Sequence, residues 1–431
     1  MKKPVIGFAG LSHLGLCSGV AAAAKGFSVV GWHDDASLVK RMTKGDLPVN
    51  EPGVGALFAA SRERLAFTSD VAALADCDIV YLAYDVPTDE MGASDLRPIE
   101  ALLERIGPSL RGTAVPVILC QVPPGFTRDH ADLHPNLYYQ VETLIFGRAM
   151  ERALEPERII IGCADPNVAL PPAYLGFLES FGCPRLAMRY ESAELCKIAI
   201  NCFLVASIST ANTLAELSEA ISADWDEIVP ALRLDKRIGR HAYLSPGLGI
   251  SGGNLERDLA SVMRIAAAHG TDASVIEAYR RYSGKAKDWP RRVLDEAFPE
   301  GLNGRRIAVL GLAYKAETHS TKNSPALKLL AGLNGARVSV YDPAVPAAAA
   351  PGADRCASAL DALDGADAVL IMTPWPEFRS IDPGKAAKRM AGRLVVDPYG
   401  LWDPAKTAAC GLTQVVRGRP RAQVLAREVA R

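Results

Sequence analysis

A glycine-rich stretch near the middle of the chain has residue types suited to holding a ligand. The stretch Gly247–Asp258 reads GLGISGGNLERD, with four glycines among its first seven residues. Such dense glycines let the backbone approach another group closely, and the polar residues after them suit the first turn of a helix, which can hold an anion. We therefore expect a loop that wraps a ligand, with the amide of Asn254 at its tip.

A second glycine pattern follows the first apolar segment of the chain. A dinucleotide-binding loop has the pattern G-x-G-x-x-G, in which the glycines serve the turn, the approach to the pyrophosphate and the packing of the helix. Gly10, Ser12 and Gly15 occupy these three positions, so the middle glycine is a serine, whose hydroxyl could itself bond a phosphate oxygen. The pattern is a degraded dinucleotide fingerprint.

An acid that binds the adenosine ribose is expected at the end of the second strand of such a fold. An internal repeat locates this position, because KGFSVVGWHDD (25–35) aligns with NGARVSVYDPA (334–344) and sets His33 opposite Asp342. Asp34 lies one residue later, where a loop could bring it round to the ribose. No neighbouring arginine indicates a 2′-phosphate, so NAD is the expected cofactor. The alternative is a Rossmann domain that no longer binds a dinucleotide.

Strands that alternate with helical patterns surround these positions. Apolar strands are expected within 5–10, 28–32, 78–84, 115–120, 307–315, 337–343 and 367–374. This alternation indicates α/β domains with parallel sheets covered on both faces, and residues 191–222, apolar-periodic without Pro or Gly, predict one long helix. We expect two doubly wound, Rossmann-like domains joined by a helical one, with the ranges 1–190, 191–300 and 301–431.

Composition excludes several classes of partner. The 48 Lys and Arg residues balance 49 Asp and Glu residues to a net charge of −1, which gives no electrostatic case for nucleic acid or an anionic membrane. Nine cysteines lack the spacing of metal ligands and are typical of free thiols in a reducing compartment, so no metal is expected. With no signal peptide and no apolar stretch long enough to span a membrane, the chain is expected to be cytoplasmic.

Several segments resemble the UDP-glucose/GDP-mannose dehydrogenase family, in order and over essentially the whole chain. The segments that carry the likeness are VPTDEMGASDL (86–96), QVPPGFTR (121–128), YYQVETLIFGRAMERALEPERIIIG (138–162), ESAELCKIAINCFL (191–204), GLAYKAETHSTKNSPAL (311–327) and WPEFR (375–379). The resemblance implies two successive NAD-dependent oxidations at C6 of a UDP- or GDP-sugar, from an alcohol to a carboxylate, in a homodimer.

The resemblance also implies roles for particular residues. Lys197 and Asn201 match the family's catalytic pair, which stabilises the developing oxyanion, and their i, i+4 spacing puts both on one face of a helix. Glu142 matches the active-site glutamate, which activates water or takes a proton. Asp258 matches an acid at a helix start and is either a partner for Lys197 or a group that complements the helix dipole.

The remaining binding residues follow from the same resemblance. Arg237 corresponds to an arginine that reaches the nucleotide sugar, often across a dimer interface. Further expected contacts to the substrate are Tyr243, Gly247, Gly249 and Lys315, and those to the cofactor, beside the residues of the first domain named above, are Pro87, Thr88, Gln121 and Lys322.

The departures from the family pattern concentrate at the chemistry. Asn254 stands where the family has the cysteine that forms a thiohemiacetal and then a thioester, and an amide nitrogen is no nucleophile at neutral pH. Gln121 replaces a threonine, Phe146 a second glutamate, and Lys322 an arginine. Cys120, at the end of a strand, is a conceivable substitute thiol.

Three hypotheses follow. The first is an oxidoreductase with altered chemistry, which stops at the aldehyde, oxidises a secondary hydroxyl, or oxidises and re-reduces in an epimerase-like cycle. The second is a pseudoenzyme that binds a nucleotide sugar without turnover. The third is a full dehydrogenase that oxidises the hydrated aldehyde without a covalent intermediate.

Overall fold

The computed structural model describes residues 3–87, 89 and 94–420. The chain forms two compact units, Met1–Ile200 and Asn201–Arg431. The boundary between the two units falls inside one long helix, Tyr190–Ile221. This helix agrees with the one expected over 191–222. The three domain ranges expected from the sequence stay a prediction.

The first unit contains an eight-stranded sheet. Its strands are β1 (Val5–Ala9), β2 (Ser28–Trp32), β3 (Leu65–Thr68), β4 (Ile79–Leu82), β5 (Val115–Ile118), β6 (Tyr138–Gln140), β7 (Ile159–Cys163) and β8 (Arg185–Arg189). Their order is β3-β2-β1-β4-β5-β6-β7-β8, and neighbours are parallel except β6 and β7. This order is that of a doubly wound dinucleotide-binding fold.

Helices cover both faces of this sheet. They are α1 (His13–Ala24), α2 (Ala36–Thr43), α3 (Val54–Ala60), α4 (Arg97–Ile106), α5 (Phe126–Asp129), α6 (Ala149–Leu154) and α7 (Pro172–Glu179). In β4, Ile79 and Tyr81 belong to one apolar cluster whereas Val80 and Leu82 belong to another. Burial on both faces explains why the strands read as continuous apolar runs rather than alternating ones.

The second unit contains a six-stranded, all-parallel sheet. Its strands are β9 (Arg306–Leu310), β10 (Arg337–Tyr341), β11 (Asp354–Arg355), β12 (Ala368–Ile371), β13 (Leu394–Val396) and β14 (Thr413–Val415), in the order β11-β10-β9-β12-β13-β14. The long helix is α8 (Tyr190–Ile221), and the later ones are α9 (Trp225–Leu234), α10 (Asn254–His269), α11 (Ser274–Lys287), α12 (Trp289–Ala297), α13 (Pro325–Gly332), α14 (Ala359–Ala362), α15 (Pro376–Arg379), α16 (Pro383–Arg389) and α17 (Pro404–Ala409). The α/β class with two Rossmann-like sheets and a helical middle is confirmed.

The helix α8 corrects one expectation. The sequence was expected to hold no apolar stretch long enough to span a membrane, but α8 has 32 residues and a mean hydropathy of 1.5 in its most apolar window, which meets that criterion. Core helices of water-soluble proteins meet it too, and 39% of that window is buried inside the protein. One such helix is therefore weak evidence for a membrane span.

Candidate active site

The dinucleotide loop between β1 and α1 requires glycine at two of its three pattern positions. Gly10 has a φ of +100°, and a Cβ there would lie 2.6 Å from the ring of Tyr84. A Cβ on Gly15 would lie 2.0 Å from the carbonyl oxygen of Gly10. At the middle position, the Ser12 hydroxyl donates to the carbonyl oxygen of Ala83 at 3.2 Å. The serine is thus tied to the strand end behind the loop.

The end of β2 carries an exposed acid beside an aromatic residue. The Asp34 carboxylate has 54% of its side-chain surface exposed and accepts a hydrogen bond from the Tyr84 hydroxyl at 3.3 Å. The His33 ring stacks on Tyr84 with a centroid distance of 6.0 Å, and Asp35 caps α2 through the amides of Ser37 and Leu38. Partial burial and the nearby Asp34 charge raise the pKa of Tyr84 to about 12, so its hydroxyl stays a donor.

A lysine and a glutamate form an ion pair in the first unit. Lys197 Nζ lies 3.0 Å from Glu142 Oε2 and 2.9 Å from the carbonyl oxygen of Glu142. The two side chains are only 15% and 20% exposed. Glu142 also accepts a short hydrogen bond from the amide of Leu144, which fixes the carboxylate in the segment after β6. A cation and a carboxylate are thereby held together, as oxyanion stabilisation and proton transfer require.

Another glutamate, Glu194 on α8, holds the loop around Gly125 and Thr127, a contact that the sequence did not predict. The Glu194 side chain is fully buried and accepts hydrogen bonds from the amides of Gly125 and Thr127 at 2.7 and 2.8 Å. The Thr127 hydroxyl adds a third bond at 2.6 Å. Glu194 therefore fixes the turn that follows Gln121. Its place one turn before Lys197 on α8 was the available signal.

Asn201 and Asp258 meet in the second unit. Asn201 Nδ2 donates to Asp258 Oδ2 at 2.5 Å, and Arg257 Nε lies 3.1 Å from Asp258 Oδ1. Asp258 is buried and lies one turn inside α10, whereas Glu256 is the acid of the first turn. The Asp258 carboxylate is thus bound by two side chains near the start of α10, and its expected interaction with the helix dipole stays a prediction. Its pairing with Lys197 stays a prediction.

Hydrogen bonds from several elements of the second unit hold the glycine loop, residues 247–253. The amide of Gly247 donates to Asn212 Oδ1 at 2.7 Å, and the amide of Ile250 donates to Ser283 Oγ at 2.9 Å. The amide of Gly252 donates to the Lys322 carbonyl at 3.0 Å, and Asn323 Nδ2 donates to the Gly252 carbonyl at 2.8 Å. The loop is consequently a fixed structure.

Two glycines of this loop are required by packing within the chain. A Cβ on Gly249, where φ is +78°, would lie 2.7 Å from the Ser283 carbonyl oxygen. A Cβ on Gly252, where φ is +80°, would lie 2.9 Å from the Tyr314 ring. Asn254 follows as the exposed first residue of α10, as the polar run after the glycines predicts.

The other expected binding residues have varied surroundings. Arg237 is 89% exposed and pairs with Asp235 at 2.6 Å. Tyr243 is exposed and Lys315 Nζ lies 5.8 Å from the centre of the Tyr314 ring. Among the residues expected to contact the cofactor, Lys322 lies beside Gly253, Pro87 is exposed and Gln121 is half-buried. Thr88 lies outside the described residues.

The cysteine proposed as a substitute nucleophile is chemically unsuited to that role. Cys120 is fully buried, and this burial raises the pKa of its thiol to about 12. The thiolate is the nucleophilic form, and at neutral pH this thiol stays protonated.

Comparisons with known proteins cover nearly the whole chain. Models of the UDP-glucose/GDP-mannose dehydrogenase family match in order, the NAD binding domain over residues 4–174, the central domain over 191–283 and the UDP binding domain over 308–404. A UDP-glucose 6-dehydrogenase of Pseudomonas aeruginosa is 31% identical, over 96% of this chain and 97% of its own.

Solved structures agree. A UDP-glucose dehydrogenase from the hyperthermophilic archaeon Pyrobaculum islandicum has a TM-score of 0.82 at 28% identity and covers 94% of this chain and 98% of its own. A UDP-D-ManNAc dehydrogenase from Pyrococcus horikoshii has a TM-score of 0.83 at 25% identity, over 97% of this chain and 100% of its own. The likeness inferred from the motifs is confirmed, and with it the NAD-binding domain, the dehydrogenase type of oxidoreductase and nucleotide sugars as the substrate class.

Proposed function

The chain belongs to the UDP-glucose/GDP-mannose dehydrogenase family, and on this premise we propose that it oxidises a nucleotide sugar with NAD without forming the family's thioester. The observation that carries the proposal is the Lys197–Glu142 ion pair, which supplies the groups for proton and oxyanion work. The residue at the nucleophile position, Asn254, cannot supply a thiolate.

The cofactor-binding residues support NAD. Gly10 and Gly15 meet the turn and packing requirements of a dinucleotide-binding loop, because a Cβ at either position would collide with the chain itself. The exposed Asp34 carboxylate beside Tyr84 is suited to accept hydrogen bonds from the ribose hydroxyls. When bound, NAD supplies the hydride acceptor for the oxidation.

The chain's own residues then divide the work. Glu142, held by Lys197, takes the proton from the sugar hydroxyl or activates water, and the Lys197 ammonium stabilises negative charge on the sugar oxygen. Asn201, fixed by Asp258, adds a hydrogen-bond donor on the same helix. Without a thiolate, the expected products are the aldehyde, a ketone from a secondary hydroxyl, or an epimerised sugar.

Two alternatives retain some support. The Ser12 hydroxyl bonded to Ala83, and a histidine at position 33, favour a pseudoenzyme that binds a nucleotide sugar without turnover. The carboxylate of Glu142 could instead activate water for a full 6-dehydrogenase that acts through the hydrated aldehyde.

The proposed assembly is a homodimer, supported by one exposed face of α8. Phe203, Leu214, Leu217 and Ile221 recur at helical spacing and are 77%, 41%, 51% and 63% exposed. An apolar stripe of this kind is typical of a surface covered by another protein chain. The exposed Arg237, which pairs with Asp235 on the protein surface, would contact a partner subunit's substrate in such a dimer. The cytoplasmic location stays a prediction.

The proposal is tested by incubating the pure protein with NAD and a panel of UDP- and GDP-sugars. NADH absorbance reports oxidation and mass spectrometry identifies the product. Lys197→Met should lower kcat about 10²–10³-fold because it removes a preorganised cation, whereas Lys388→Met, an exposed lysine on α16, should leave kcat unchanged. Nucleotide-sugar binding without NAD binding by calorimetry would replace the proposal with the pseudoenzyme.

A further inference from the structure

Arg417 lies two residues after the end of β14. It is a buried arginine that contacts the glycine loop. Its side chain is 0% exposed and belongs to the interior of the second unit. Its Nη1 donates to the carbonyl oxygen of Gly247 at 2.8 Å and to that of Ala286 at 3.2 Å. Its Nη2 lies 3.4 Å from the Glu216 carboxylate on α8. One guanidinium thus joins the loop, α11, α8 and the last strand of the sheet.

The first peptide groups of the glycine loop are consequently held from both sides. The amide of Gly247 donates to Asn212 on α8, and its carbonyl accepts from Arg417. Beyond this residue, the loop is next fixed at Ile250 by Ser283. Gly247 is therefore the point at which the direction of the loop is set.

Stability alone does not explain an arginine at this position. Burying a guanidinium carries a large desolvation cost, and a well-packed apolar side chain often stabilises a core as well or better. The negative charge of Glu216 is shared between two arginines, because Glu216 also pairs with Arg292 at 2.9 Å. In addition, Arg417 Nε is buried without a hydrogen-bond partner among the described residues. What an apolar residue could not do is donate to the Gly247 carbonyl.

We propose that Arg417 is a positioning residue that orients the glycine loop and thereby sets the affinity for the nucleotide sugar. This inference rests on the proposed function of the loop as part of the nucleotide-sugar site. Arg417 is buried, so it acts through Gly247 and not by touching the ligand.

The test compares Arg417→Met and Arg417→Lys with a control, Arg419→Met. Arg419 lies two residues later and makes an exposed pair with Asp226, so its loss leaves the loop contacts intact. Calorimetry with UDP, with the nucleotide sugar that the wild type turns over, and with NAD gives the three affinities. For Arg417→Met we expect the Kd for UDP and the nucleotide sugar to rise at least about tenfold, because a charged hydrogen bond is lost, with an unchanged Kd for NAD. Arg417→Lys should recover part of this loss, and the control should match the wild type.

Hydrogen exchange supplies a second readout if Arg417→Met does not fold. In Arg417→Lys, the amides of residues 247–253 should exchange faster than in the wild type, whereas those of β9 should not change. Wild-type affinity for UDP and the nucleotide sugar in a destabilised Arg417→Lys, with unchanged loop exchange, would overturn the inference and leave a merely structural arginine. A wild-type chain that binds no nucleotide sugar would instead overturn the proposed function on which the inference rests.

Discussion

The two Rossmann-like sheets share a strand order but use the residue after their second strand in different ways. In the second unit, Asp342 follows β10, and its buried carboxylate accepts hydrogen bonds from the amides of Leu312 and Ala313, in the turn after β9, at 2.7 and 3.0 Å. In the first unit the equivalent position is His33, and the neighbouring Asp34 is exposed.

This difference separates a structural carboxylate, Asp342, from the exposed Asp34 carboxylate that we propose as the ligand of the cofactor ribose. The amides of the turn after β9 are already occupied by the chain's own Asp342, so they are unavailable to a pyrophosphate. His33 has no carboxylate to occupy the corresponding amides after β1, and Asp34 is displaced outward toward solvent. The same fold thus keeps one turn closed by its own side chain and leaves the other suited to an anionic cofactor.

The largest expected effect is on the second sheet. Asp342→Ala leaves buried donors unpaired, because Ala344, Val345 and the Trp375 indole also donate to this carboxylate at 2.8, 2.8 and 3.2 Å. It should lower the free energy of unfolding by about 3–5 kcal/mol, measured by urea unfolding. Asp34→Ala is the matched change in the first sheet and should cost less than about 0.5 kcal/mol. Equal losses would remove the distinction between the two acids.

The pH dependence of stability should reveal the same carboxylate. Burial alone would raise the pKa of Asp342, but the hydrogen bonds from four backbone amides hold it below its usual range. A group whose pKa is lower in the folded state stabilises fully above its unfolded pKa of about 3.9 and loses that contribution as the pH falls toward the folded pKa. Unfolding at pH values around and below 4 should therefore show a steeper loss in the wild type than in Asp342→Asn. Parallel curves would show that Asp342 keeps an ordinary pKa.

The next effect concerns the cofactor. Asp34→Asn should weaken NAD binding about tenfold, because the ribose hydroxyls lose a charged acceptor, and should leave UDP binding unchanged. Calorimetry with each ligand measures both affinities. The control is Asp35→Asn, since Asp35 caps α2 in the same segment without being the acid beside Tyr84. A loss of affinity confined to the control would mean that His33 and Asp34 are misassigned.

The smallest effect is expected at the middle position of the fingerprint. Ser12→Gly restores the full glycine pattern and should tighten NAD binding by a few-fold at most, while the lost bond to Ala83 costs about 0.5–1.5 kcal/mol of stability. Fluorescence titration with NADH and thermal unfolding would measure the two changes. Much weaker NADH binding in Ser12→Gly would show that the serine hydroxyl itself serves the cofactor.

Much of the fold could be predicted from the sequence because burial on both faces leaves a strong local signal. The strands within 28–32 and 337–343 were located correctly, and α8 begins and ends within one residue of its expected range. The pairing of Asp258 with Asn201 was missed because the register between α8 and α10 is a tertiary property that no local pattern encodes. Arg417 gave no signal either, since an arginine near a chain's end is usually exposed.

Oxidation without a thioester is tested most directly by counting the NADH that the wild-type protein forms per molecule of sugar, with the nucleotide sugar limiting and NAD in excess. If Asn254 occupies the nucleophile position, as we propose, and the Cys120 thiol stays protonated, the enzyme should form at most one NADH per sugar, with an aldehyde, a ketone or an epimer as product. Two NADH per sugar with a uronate product would show instead that the protein completes both oxidations of the family's reaction.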